Sequence, residues 1–131
     1  MSEGTKGAES LTAAIEELAR PYETVDDLAS TELKLDVVAS ELLRTEYAQQ
    51  KLGEARIEEL GSPFVTEAPV VLREVGGPTF EPVAQLAANL IELLTPSVSD
   101  LGSAELANAE RQRSDLYRGL CALLAEIRRG P

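Results

Sequence analysis

The chain has 131 residues, with 23 acidic against 12 basic side chains, a formal net charge of −11, and neither His nor Trp. With no imidazole and a single Cys, it holds no His general base, no His metal ligand, no Cys cluster and no Ser-His-Asp triad. The acidic excess argues against direct binding of nucleic acid or anionic lipid, where phosphate neutralisation needs Lys and Arg.

Apolar residues make up 44% of the chain and aromatic residues only 4%, so any core is built from Leu, Val, Ile and Ala. Such aliphatic cores suit helix-on-helix packing. The length fits one domain with one core. Acid is unevenly spread: residues 1–66 hold 14 acids and 6 bases, residues 67–131 hold 9 and 6. Cys121 is the only thiol, so no disulfide forms within the chain and nothing requires an oxidising compartment. The polar start, MSEGTKGAES, has no apolar signal core, and no stretch approaches a membrane-spanning run. The expectation is a cytoplasmic or particle-associated protein that is not secreted and does not enter a membrane.

Residues 1–9 read as a flexible polar leader, and residues 10–131 as one helical domain. The first helix is expected from about Leu11 to Arg20, where Pro21 stops it, with Leu11, Ile15 and Leu18 at i, i+4 and i+7. The second element is the dominant one. Thr24-Val-Asp-Asp27 resembles a capping box with Asp in place of Glu, no Pro interrupts Val25 to Leu60, and Gly61-Ser62-Pro63 is a stop. The pattern predicts one helix over about 25–60, on the order of 54 Å long at 1.5 Å per residue. Leu28, Leu35, Val38 and Leu42 form one apolar stripe, and Leu33, Val37, Leu43 and Tyr47 a neighbouring one. An arc that wide predicts burial among several helices, with a more exposed or chain-paired end after Tyr47 and a kink at Gly53.

Residues 62–80, SPFVTEAPVVLREVGGPTF, carry three Pro and Gly76-Gly77. Pro69 and Pro78 read as brackets around a strand-like run, Val70-Val71-Leu72, in an extended arm that lies over its own core or reaches a neighbouring subunit. The next helix starts near Glu81-Pro82 and ends at Thr95-Pro96, with Val83, Leu86, Ala87, Leu90, Ile91 and Leu94 on one core-facing stripe. The last runs from Leu101 or Ser103 to Arg129, anchored by Leu116, Leu120, Leu123 and Ile127. The fold class is therefore all-α: three or four helices, one of them long, with an extended arm.

Little in the chain carries chemistry. Glu32/Asp36 and Glu54/Glu58 sit at i,i+4 and share a helix face, but a helical di-metal site would need the Glu-x-x-His repeat, and there is no His to complete it. Cys121 lies beside Leu120 and Leu124 without a His or CxxC partner and reads as core packing. Gly76-Gly77-Pro78 lacks the spacing of a phosphate loop and reads as a tight turn. No catalytic, cofactor or metal residue is assigned. The candidate residues are interfacial: Tyr47, Leu52 and Ile57 at the end of the long helix, Val70, Val71 and Leu72 in the arm, and Arg111 and Arg118 one heptad apart on the last helix. These features point to a non-catalytic structural or adaptor subunit that binds protein partners. The partners are copies of itself or other subunits of a larger particle, such as a phage or organelle assembly. The alternative is an acidic inhibitor that mimics nucleic acid, with Glu32, Asp36, Glu46, Glu54 and Glu58 in a row on the long helix.

Overall fold

In the computed structural model, which describes residues 8–61, 67–94 and 102–129, every described regular element is helical. The chain is all-α, as its composition indicates. The elements are α1 (Ala8–Glu16), a 3-10 turn (Val25–Ser30), α2 (Thr31–Leu43), α3 (Glu46–Leu52), α4 (Glu54–Leu60), α5 (Ala68–Gly76), a 3-10 turn (Pro78–Phe80), α6 (Glu81–Leu94) and α7 (Ser103–Arg129). Residues 1–7 of the expected leader, 62–66 of the expected arm and the expected stop at Thr95-Pro96 lie outside the described residues.

α1 packs on α2 and α7, α2 on α5, α5 on α6, and α6 on α7, so five helices close a ring. Its interior is aliphatic. Leu11 and Ile15 of α1, Leu35 and Leu42 of α2, Val71 and Leu72 of α5, Leu90 of α6, and Leu116 and Leu120 of α7 are all buried. α3 and α4 pack on each other outside the ring, with α3 also touching α5.

The expected single helix over 25–60 is four pieces. Asp27 takes the capping role read from the sequence, its carboxylate accepting the backbone N–H of Thr24 at 2.9 Å and of Glu23 at 2.7 Å, but the turn it caps is 3-10. The next break is at Thr45. Its hydroxyl donates to the Leu42 carbonyl at 2.7 Å and accepts from the Ala48 N–H at 3.1 Å, so one buried side chain closes α2 and opens α3. At Gly53 the backbone takes φ 84° and ψ 157°, a region essentially reserved for glycine, and the helix breaks rather than kinks.

The expected extended arm is also corrected, because residues 68–76 are the helix α5. Pro69 sits in its first turn, where no backbone N–H is needed and the fixed φ suits a helix. Ala68, Val71, Leu72 and Val75 fall at i, i+3, i+4 and i+7, and all four are buried.

α1 ends at Glu16, short of the expected Arg20, and backbone groups beyond its end are satisfied from α7. Arg113 is 5% exposed and grips Glu110 with two bonds of 2.7 Å, while its third donor reaches the Leu18 carbonyl, also at 2.7 Å. Glu110 in turn accepts the Tyr22 N–H at 2.8 Å. In a continued helix the Tyr22 N–H would bond the Leu18 carbonyl directly. The ion pair stands between these two groups and satisfies both, so the chain can leave the helix without orphaning either.

Candidate functional site

Among the described residues, the face of α2 opposite the core stands out for its exposed apolar side chains. Leu35, Val38, Ala39 and Leu42 point inward and are buried. Leu33 and Val37, one turn apart, point the other way: 67% and 44% exposed, they are the exposed large hydrophobic side chains among the described residues. The helix therefore carries apolar residues on two opposite faces, of which the fold uses one. Scattered single apolar residues on a surface need no explanation, whereas an aligned pair on a helix with a satisfied core face does. The expectation that the whole Leu33/Val37/Leu43/Tyr47 stripe is buried holds only for Leu43 and Tyr47.

Beside this row lies a cleft of about 410 Å³. Glu32 and Asp36, the i,i+4 pair of α2, form one wall, and Glu67 and Glu92 contribute from the start of α5 and the end of α6. Ala68, Pro69, Ala88 and Ile91 supply apolar lining. None of the four carboxylates has a basic partner among the described residues. Although Asp36 is exposed at the surface, desolvation by the surrounding cleft, reinforced by the charge of Glu32, raises its carboxyl above its ordinary range. Elsewhere among the described residues, seven acids are paired: Glu41 with Arg44, Glu59 and Glu74 with Arg56, Glu81 with Arg73, Glu110 with Arg113, Asp115 with Arg118 and Glu126 with Arg129. What sets the cleft apart is that four carboxylates without such a partner line one cavity beside the exposed apolar row. Among the described residues, no group of three or more His, Cys, Asp or Glu side chains is placed to hold a metal ion.

At its other end the α2 face runs into a second groove, of about 340 Å³, lined by Ser40, Leu43, Arg44, Gln49, Ile57 and Gly61. Ser40 and Arg44 continue the Leu33/Val37 row at i+7 and i+11, so Ile57 of α4 lies beside the same surface.

The other residues singled out from the sequence are dispersed. Tyr47, Val71 and Leu72 are buried within this chain, which leaves no face of them for a partner; each fills a gap between neighbouring helices. The Lys51 amine sits 5.2 Å from the centre of the Tyr47 ring. Leu52 and Val70 are half-buried against the core. Arg111 and Arg118 are exposed on α7, where Arg111 donates to Asn108 at 3.0 Å and Arg118 pairs with Asp115 at 2.8 Å. They lie on a different helix from the α2 row. Cys121 is half-buried rather than sealed in the core. The acids proposed as a row on one helix are divided among α2, α3 and α4 by the breaks at Thr45 and Gly53.

Sequence reading missed Leu33 and Val37 as surface groups, because apolar residues adjoining a core stripe look like its extension. The distinguishing sign was their offset: each lies two positions from a core residue, about 200° around the helix. Comparison with protein-family models, with curated proteins and with solved structures finds no match to this chain.

Proposed function

We propose that the chain is a non-catalytic adaptor or structural subunit that docks on other proteins through the outward face of α2. The observation that carries this reading is the aligned exposure of Leu33 and Val37 on a helix whose opposite face already fills the core. A solvated helix face would gain from polar residues at both positions, since burying such side chains against a partner is worth about 1.5–3 kcal/mol each and exposing them gains nothing. Anchors of this kind, one turn apart, suit helix-in-groove recognition. The absence of His from the whole sequence and the internal pairing of most Arg side chains fit a binding role better than a catalytic one. Residence in the cytoplasm or in a larger multiprotein particle belongs to the same reading.

The test places a photo-crosslinking amino acid at position 37 and, separately, at the exposed position 115 on α7, in the full chain expressed in its native cell. The reading predicts discrete covalent protein adducts from position 37 and none from position 115. No adduct from 37, or equal adducts from both, would contradict it.

A further inference from the structure

We propose that the α2 face receives a basic amphipathic helix of a partner protein, with apolar residues against Leu33 and Val37 and Lys or Arg side chains entering the acidic cleft alongside. The inference rests on the reading of α2 as a docking face and adds the chemistry of the occupant. Two independent features meet at this place. One is the apolar row, 67% and 44% exposed. The other is the cleft that shares its helix, where Glu32 and Asp36 face Glu67 and Glu92 with no basic partner among the described residues.

The composition of the cleft matches a long cationic side chain. Its Ala, Pro and Ile lining suits an aliphatic stem, and its carboxylates suit an ammonium or guanidinium head. A volume of about 410 Å³ is ample for one or two such side chains. A cation there would also offset the desolvation and, secondarily, the Glu32 charge that together push the Asp36 carboxyl upward.

Charge decides between a basic partner and a second copy. In a two-fold pairing the same surface meets itself. Two α2 helices packed antiparallel through Leu33 and Val37 would set Glu32 and Asp36 of one chain beside Glu32 and Asp36 of the other. Four carboxylates would then face one another with no basic side chain between them, and like charges juxtaposed at an interface are a strong discriminator against that partner. A helix that carries Lys and Arg on the flank facing Glu32 and Asp36 reverses the sign of those contacts.

The probes are three synthetic helical peptides: one with a Leu row flanked by Lys, one with the same Leu row flanked by Glu, and one with Lys flanks but Ala in place of Leu. Binding is read by fluorescence anisotropy on the full chain, on Leu33→Ser/Val37→Ser and on Glu32→Gln/Asp36→Gln. All four positions are exposed, and melting curves verify that each variant folds. The Leu/Lys peptide is expected to bind the wild type and to lose about tenfold or more in affinity with either variant. The Glu-flanked and Ala-substituted peptides are expected to bind at least about tenfold more weakly. The proposal is overturned if the Ala-substituted peptide binds as well as the Leu peptide, if Glu32→Gln/Asp36→Gln leaves binding unchanged, or if the Leu/Lys peptide does not bind. If position 37 crosslinks in cells while the Leu/Lys peptide ignores the face, docking through α2 stands and the basic occupant falls. If position 37 is also silent, both fall.

Discussion

Replacing Arg113 tests the packing logic that holds α1 against α7. Arg113→Ala removes three charge-assisted hydrogen bonds, two to Glu110 and one to the buried Leu18 carbonyl. An orphaned buried carbonyl costs about 1–3 kcal/mol. Glu110 keeps 31% of its side chain exposed and can rehydrate, so its loss is discounted to about 1 kcal/mol or less. Deleting two buried methylenes of the stem adds roughly 1.5 kcal/mol. The total, about 3–5 kcal/mol, agrees with the usual penalty for breaking a buried pair from one side. For a chain of this length it lowers the melting temperature by about 10–20 °C. Arg113→Met keeps the stem and isolates the polar part, expected at about 2–3 kcal/mol by urea denaturation. In a double-mutant cycle, Arg113→Met and Glu110→Gln should couple by about 1 kcal/mol or more. A cost for Arg113→Met below about 1 kcal/mol, with no coupling to Glu110→Gln, refutes the assignment of Arg113 as the bridge between α1 and α7.

Acid should weaken the same bridge. Hydrogen bonding to the Arg113 guanidinium holds the folded Glu110 carboxyl below its ordinary 4.5, so its stabilisation is complete above that pH and disappears as pH falls through the depressed folded value. Urea midpoints from pH 7 downward should show the deficit of Glu110→Gln shrinking through that window; a deficit independent of pH would contradict the linkage. Thr45→Val, nearly isosteric, removes both bonds that join α2 to α3 and should cost about 1–2 kcal/mol in chemical denaturation, while Thr45→Ser stays close to wild type. A loss confined to Ser, with Val close to wild type, would mean that packing of the methyl group, not the hydroxyl, matters there. At Gly119 of α7 an added Cβ would lie 2.5 Å from Cγ2 of Val83 on α6. Gly119→Ala should therefore destabilise by about 1–3 kcal/mol, outweighing a helix-propensity gain of about 1 kcal/mol. Calorimetry on Gly119→Ala and on Gly119→Ala/Val83→Ala checks this, and failure of the second change to recover stability would place the clash elsewhere.

Where the pattern was strong and its ends were chemically marked, sequence and structure agree. α6 starts at Glu81 and follows its Val83, Ala87 and Leu90 stripe, and α7 runs from Ser103 to Arg129, as the pattern indicates. α5 was hidden because Pro69 was read as the bracket of a strand, although a Pro in the first turn followed by Val71, Leu72 and Val75 is equally a helix start. The break at Thr45 carried neither Pro nor Gly, and a Thr can cap a helix or ride within one, so its role rests on the Leu42 carbonyl it reaches. Nothing in the sequence sets Arg113 apart from Arg111 and Arg118, because the Leu18 carbonyl it reaches, and the Tyr22 N–H that its partner Glu110 accepts, are far away in sequence. The candidate site was half legible: Glu32 and Asp36 were paired by spacing, but their meeting with Glu67 and Glu92 depends on how α2, α5 and α6 pack.

The most direct measurement on the central claim is the native size of the chain in extracts of its own cells, wild type against Leu33→Ser/Val37→Ser, by size-exclusion chromatography with light scattering. Docking through α2 predicts that the wild type elutes in a discrete complex larger than the isolated chain. The double variant should elute as the free monomer with an unchanged melting temperature. A wild type that is itself monomeric, or a double variant that stays in the complex, would contradict the account.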